Sequence, residues 1–241
     1  VQAGDMKESD LDTAVERILG FVYKYAENRK PDTKFDHERD HQKARQMAAE
    51  SMVLLKNEGM LPLCKSAKTA FIGKFANEPR FQGGGSSHVS CYKVSGSVEA
   101  GEKYGVTYAQ GYDTKTQEPD EALIAQAVEA ARSAENAVVF IGITDAMESE
   151  GFDRKDMKIP ACQQRLLEEV VKVQPNTAVV VECGSAIEMP WIGDVRAVLY
   201  AYLGGEAVGP AIVDILFGEV NPSGKLAETF PLRLEDNPSY L

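Results

Sequence analysis

The sequence predicts an α/β fold: a mostly parallel, open sheet sandwiched by helices and preceded by a linker helix. Three observations carry this expectation. From Thr69 onward, short apolar or β-branched runs alternate with helical patterns, the signature of parallel strands joined by crossover helices. Val138-Val139-Phe140-Ile141 and Val179-Val180-Val181 are continuous apolar runs, as expected for strands covered on both faces. Of the 241 residues, 44% are hydrophobic and 26% charged, which is enough apolar material for a substantial core.

In chain order, Ser9-Asp10-Leu11-Asp12 reads as a capping box, and Leu11, Ala14, Val15, Ile18, Leu19 and Val22 recur at helical spacing. An amphipathic helix is expected over residues 9–27. Residues 28–36, with Pro31, read as a linker, so the chain divides into 1–36 and 37–241. A second helix is expected over 38–57, with Ala44, Met47, Ala48, Ser51, Leu54 and Leu55 inward and Gly59 as its stop. Strands are expected at 70–73, 106–109, 137–143, 177–182 and 197–202, and helices at 121–134, 162–173 and 208–217. Ligands of open α/β sheets gather at the carboxyl ends of strands, which directs attention to the segments after Gly73, Ile143 and Glu182.

Charge and cysteine usage narrow the function classes. Lys+Arg 26 against Asp+Glu 37 gives a net charge of -11, which repels phosphate backbones and anionic membrane surfaces. Neither nucleic acid nor membrane is an expected partner, and no apolar run approaches the ~20 residues of a membrane span. Cys64, Cys91, Cys162 and Cys183 are widely separated without metal-ligand spacing, which favours reduced thiols and a cytoplasmic setting. The start at Val1 has no signal-peptide character, and a first residue other than Met is expected of a processed product or a fragment.

Three segments could carry chemistry. His37-Glu38-Arg39-Asp40-His41 matches H-E-x-x-H, a zinc pattern. Its charged intervening residues and its place at a helix start favour a capping, solvent-facing role, so no metal is expected. Gln82-Gly83-Gly84-Gly85-Ser86-Ser87-His88 allows close backbone approach but is neither a P-loop, a dinucleotide fingerprint nor a nucleophile elbow, so no cofactor is expected. Residues 144–160 place Asp145, Glu148, Glu150 and Asp153 within nine positions after the strongest strand. A desolvated carboxyl there could act as general acid and then base, and a solvated acidic loop is the alternative.

Taken together, five stretches resemble one family. They are Ala48-Ala49-Glu50-Ser51-Met52-Val53-Leu54-Leu55-Lys56-Asn57, Gly83-Gly84-Gly85-Ser86-Ser87, Glu150-Gly151-Phe152-Asp153-Arg154, Glu188-Met189-Pro190-Trp191, and Phe217-Gly218-Glu219-Val220-Asn221-Pro222-Ser223-Gly224-Lys225-Leu226. In this order, over residues 38–240, they resemble the carboxy-terminal α/β sandwich domain of glycoside hydrolase family 3, the β-glucosidase group. Residues 1–30 look like the trailing helix that follows the family's amino-terminal (β/α)8 barrel.

The resemblance implies retaining hydrolysis of terminal β-D-glucosyl or related residues in a β-glucoside or oligosaccharide. It implies Glu150 as the acid/base, with Glu148 the runner-up, and Ser86, with Ser87 more weakly, near the sugar. Asp153 and Arg154 are expected to shape the loop through a local ion pair, and Trp191 to pack on the sheet. The family's nucleophile is an Asp of the barrel, for which these residues have no room. A retaining site needs two carboxyls about 5 to 5.5 Å apart, and this chain offers one. The isolated chain is therefore expected to be inactive, with helix faces exposed to a missing barrel or to a second copy in a homo-oligomer. The competing reading is a non-catalytic α/β module that binds a small ligand or partner at the glycine-rich loop.

Overall fold

The computed structural model describes residues 1 and 3–240. The chain forms two compact units, residues 1–36 and 37–241. The first consists of α1 (Glu8–Asn28), in which no residue is buried; Leu11, Val15, Ile18, Leu19 and Val22 all stand exposed. The expected capping box does not form. The helix begins at Glu8 with Lys7 at its N-cap, so Ser9 lies inside the first turn and its carbonyl accepts from the Thr13 hydroxyl at 2.8 Å. Glu8 and Asp10 in that turn complement the positive end of the helix instead.

Among the described residues the second unit holds one six-stranded sheet. Its strands are β1 (Val53–Asn57), β2 (Thr69–Ile72), β3 (Thr107–Ala109), β4 (Asn136–Gly142), β5 (Thr177–Glu182) and β6 (Ala197–Tyr200), in the order β1-β6-β5-β4-β2-β3. β6, β5, β4, β2 and β3 run parallel, while β1 pairs antiparallel with β6 at the edge. β5 is buried at every position and β4 at every position after Asn136, as the continuous apolar runs require of strands covered on both faces.

The helices are α2 (His37–Ser51), α3 (Lys74–Asn77), α4 (Ser97–Gly101), α5 (Glu121–Arg132), α6 (Ala161–Val173) and α7 (Val208–Leu216). α5 packs with α6, and α2 and α4 pack with α7. Asp120 caps α5 by accepting from the N–H groups of Ala122 and Leu123. None of the helices among the described residues is long and apolar enough to cross a membrane.

The helix expected over 38–57 is corrected. α2 stops at Ser51, and Val53-Leu54-Leu55-Lys56-Asn57 becomes β1, with Val53 opposite Tyr200 and Asn57 opposite Ala197. Helical apolar spacing continues through Leu55, but the open edge of β6 can satisfy a strand's backbone groups, and sheet pairing wins over local period. Gly224 seals the break: its N–H donates to the Met52 carbonyl at 3.0 Å, and a Cβ there would lie 2.1 Å from the Ser51 carbonyl oxygen. Met47, expected inward, is exposed, and α2 buries His41, Ala48 and Ala49.

Chain direction across the sheet locates a crevice. From β2 the chain moves outward to β3 and then crosses back to β4 on the other side of β2. The connections leaving the carboxyl ends of β2 and β4 thus diverge, which is the switch point where open α/β sheets hold ligands.

Candidate active site

The glycine-rich loop follows β2 and the acidic loop follows β4, so both rise from the two sides of that switch point. They press directly against each other. A Cβ on Gly84 would stand 2.6 Å from the Ser149 hydroxyl, and one on Gly85 would stand 2.6 Å from the Glu150 Cβ. Gly85 also has φ +82°, a conformation that L side chains rarely adopt. Gly84 and Gly85 thus make room for the neighbouring loop.

Ser86 occupies a single 3₁₀ turn, Gly85–Ser87, and faces Glu150. Its N–H donates to Glu150 Oε2 at 2.8 Å and its hydroxyl donates to the same oxygen. These two donors, the hydroxyl first, hold the exposed Glu150 carboxyl below the ordinary carboxylate range. Ser87 turns back on its own loop, donating to the Gly84 carbonyl at 3.2 Å. His88 Nε2 lies 3.2 Å from Asp145 Oδ2, a second link between the two loops.

Glu148 is committed elsewhere. Its Oε2 accepts from Arg80 Nη1 at 2.8 Å and from the Gly184 N–H at 3.1 Å, and its Oε1 accepts from the Ser185 hydroxyl. Arg80, 6% exposed, also donates to the Ile143 carbonyl, the Glu148 carbonyl and Asp145. The Ser185 carbonyl is in turn held by the Tyr200 hydroxyl of β6 at 2.7 Å. Beneath Arg80 lies Glu182, the fully buried last residue of β5, whose Oε2 accepts the Arg80 N–H at 2.8 Å. Burial pushes its carboxyl well above the usual range, with Arg80 opposing in part, which favours the neutral form.

The local ion pair expected between Asp153 and Arg154 is corrected. Arg154 Nη1 donates to the Ser185 hydroxyl at 3.0 Å and the Ala186 carbonyl at 2.9 Å. A guanidinium fork finds a fixed carbonyl and hydroxyl across the loop rather than a neighbouring carboxylate that water can solvate. The solvent-facing role expected of the H-E-x-x-H segment is also corrected for His41. It is 3% exposed, with Nδ1 2.8 Å from Glu206 Oε1, while the His37 ring stacks on Tyr92. Among the described residues no group of three or more His, Cys, Asp or Glu side chains is placed to hold a metal. Trp191 is buried in the core cluster.

Sequence reading missed Arg80, Ser185 and Glu182. Arg80 carries no periodic signal, sitting in Asn77-Glu78-Pro79-Arg80-Phe81 between a strand and a glycine-rich loop. Glu182 had one available sign, a charged residue closing an otherwise apolar buried strand.

Comparison with known proteins agrees with this architecture. The model of the glycosyl hydrolase family 3 C-terminal domain matches residues 52–241. Thermostable beta-glucosidase B of Acetivibrio thermocellus is 51% identical over all of this chain and 33% of its own length. An exo-alpha-(1->6)-L-arabinopyranosidase of Bifidobacterium longum is 37% identical over all of this chain and 34% of its own. The crystal structure of a GH3 beta-glucosidase from Bifidobacterium adolescentis superposes with TM-score 0.94 at 39% identity, covering 99% of this chain and 36% of that one. The chain thus spans about a third of the length of the curated relatives it matches. With a matching family model, related sequences throughout and the same sheet, the chain belongs to glycosyl hydrolase family 3, as its C-terminal domain.

Proposed function

We propose that this domain supplies the acid/base carboxyl, Glu150, to a retaining glycosidase acting on terminal β-D-glucosyl or related residues. The nucleophilic carboxyl comes from a barrel domain of the same longer protein. One observation carries the reading: Glu150 stands exposed at the switch point with no ion-pair partner among the described residues, anchored by the N–H and hydroxyl of Ser86. Glu148, two positions away, has its oxygens occupied by Arg80, Gly184 and Ser185. The names of the relatives, a beta-glucosidase and an arabinopyranosidase, support the substrate class.

The mechanism follows from charge. In the glycosylation step an acid must protonate the departing glycosidic oxygen as the nucleophile attacks the anomeric carbon; in the second step the resulting carboxylate removes a proton from water. The Ser86 donors favour the ionised form, which suits the second step. Covering Glu150 by the facing domain removes water and raises its proton affinity for the first. Ser86 shifts its hydroxyl from Glu150 to a sugar oxygen in this reading, with Ser87 the weaker neighbour, and the Ser86–Glu150 contact supports it.

Residues 1–36 are the trailing helix and linker of that barrel, and the exposed apolar row of α1 supports a partner surface there. The test uses the full-length protein that carries this chain. Glu150→Ala is expected to abolish hydrolysis of alkyl glucosides, to spare the glycosylation step for dinitrophenyl glucosides, and to yield a glycosyl azide when azide replaces water. Turnover of an aryl β-glucoside by the 241-residue chain alone, lost in Glu150→Gln, would show that the site is complete without a second domain.

A further inference from the structure

Three chain segments leave the carboxyl ends of β2, β4 and β5, and one pair of side chains ties all three together. Arg80 comes from the first. Its guanidinium reaches the second at the Ile143 carbonyl (2.6 Å), Asp145 Oδ1 (3.3 Å), Glu148 Oε2 (2.8 Å) and the Glu148 carbonyl (3.1 Å). Glu148 passes the connection to the third through Gly184 and Ser185. The loop is also gripped from the other side, because Gly84 and Gly85 leave no room for a side chain between the two loops.

We propose that Arg80 and Glu148 are positioning residues, a clamp that sets the height and direction of the loop carrying Glu150 so that its carboxyl reaches the glycosidic oxygen. This rests on the reading of Glu150 as acid/base. The argument is one of directionality. Apolar packing of the same volume would stabilise as well or better than a buried ion pair, but it does not fix an orientation. A planar guanidinium with four acceptors in defined directions does. Glu148 is separated from Glu150 by one residue, so a displacement at the clamp passes to the acid with little damping. Glu182 serves the same end: at the carboxyl end of β5 its carboxyl accepts the Arg80 N–H and holds residue 80 in place.

The test compares two substrates in the full-length protein. One is an alkyl β-glucoside, whose departure requires a proton; the other is a dinitrophenyl β-glucoside, whose departure does not. Arg80→Met and Glu148→Gln are each expected to lower kcat/KM on the alkyl glucoside about 100-fold, and on the dinitrophenyl glucoside less than about threefold. Arg80→Lys is expected to restore only part of the loss, since it returns the charge without the fork. The double variant Arg80→Met/Glu148→Gln is expected to be no worse than the worse single one, because both remove the same clamp. Ser185→Ala, which removes one exchangeable donor to Glu148 and leaves the ion pair, is expected to show the same substrate bias to a smaller degree should Arg80→Met fail to fold. Equal losses on the two substrates by folded Glu148→Gln would overturn the clamp while leaving Glu150 in place. Absence of any substrate bias in Glu150→Gln would remove the reading beneath it.

Discussion

Gly85 stands so close to Glu150 that a methyl group on the glycine would lie 2.6 Å from the glutamate Cβ and 3.0 Å from its Oε2. The acid/base candidate and the loop bearing Ser86 are therefore one packed unit, and the glycine is what lets them meet. Gly85→Ala meets both this contact and the positive φ, which by itself destabilises by about 1–2 kcal/mol. Chemical denaturation of the domain should show at least that loss, and the Glu150 carboxyl resonance should move as its Ser86 donors are displaced. An unaltered resonance with wild-type stability would mean that the two loops are not in contact.

Ser86 holds Glu150 ionised, and its removal has a sign that can be worked out. A carboxyl depressed in the folded state contributes stability that is present above its unfolded pKa and lost as pH falls through its folded pKa. In Ser86→Ala the Glu150 pKa should rise toward the ordinary carboxylate value, and this part of the acid-side loss of stability should shrink. Carbon-detected titration of the labelled domain reads the pKa; overlapping titration curves for the two proteins would contradict the hydrogen bonds.

Glu182 carries the opposite sign. Its folded-state pKa is raised, so above the ordinary carboxylate range the unfolded chain binds fewer protons than the folded one, and stability falls as pH increases. Glu182→Gln keeps an oxygen to accept the Arg80 N–H without a proton to lose. Urea unfolding should show the variant gaining stability over the wild type progressively as pH rises above the ordinary carboxylate range. Parallel stability curves would show that Glu182 is ionised in the folded domain.

Arg45 donates through two nitrogens to Asp214 of α7, whose side chain is 8% exposed. Arg45→Met leaves that carboxylate buried and unpaired, which should destabilise by about 3 kcal/mol, at the low end for broken buried pairs because Arg45 is itself about a third exposed. Arg45→Met combined with Asp214→Leu should recover most of the loss. Thermal and urea unfolding of the single and double variants check this, and a neutral single substitution would show that water reaches Asp214.

Period and composition determined the five parallel strands of the sheet. The runs at Val138–Ile141 and Val179–Val181 announce strands covered on both faces, α5 and α6 follow from the spacing of surface helices, and α7, buried at every position but Pro210, follows from its apolar run. Local pattern also drew attention to the loop that carries Glu150, where four carboxylates follow a buried strand, while leaving a solvated acidic loop as the alternative. What it could not resolve was which of those carboxylates is free. That depends on Arg80, 68 positions from Glu148 along the chain and with no spacing that relates them. The same limit made β1 read as helix, because Val53–Asn57 becomes a strand only through the unpaired edge of β6, 140 or more positions away. Tertiary structure alone decided these points: a hydrogen bond or a burial is a property of two partners, and one segment of sequence carries only its own half.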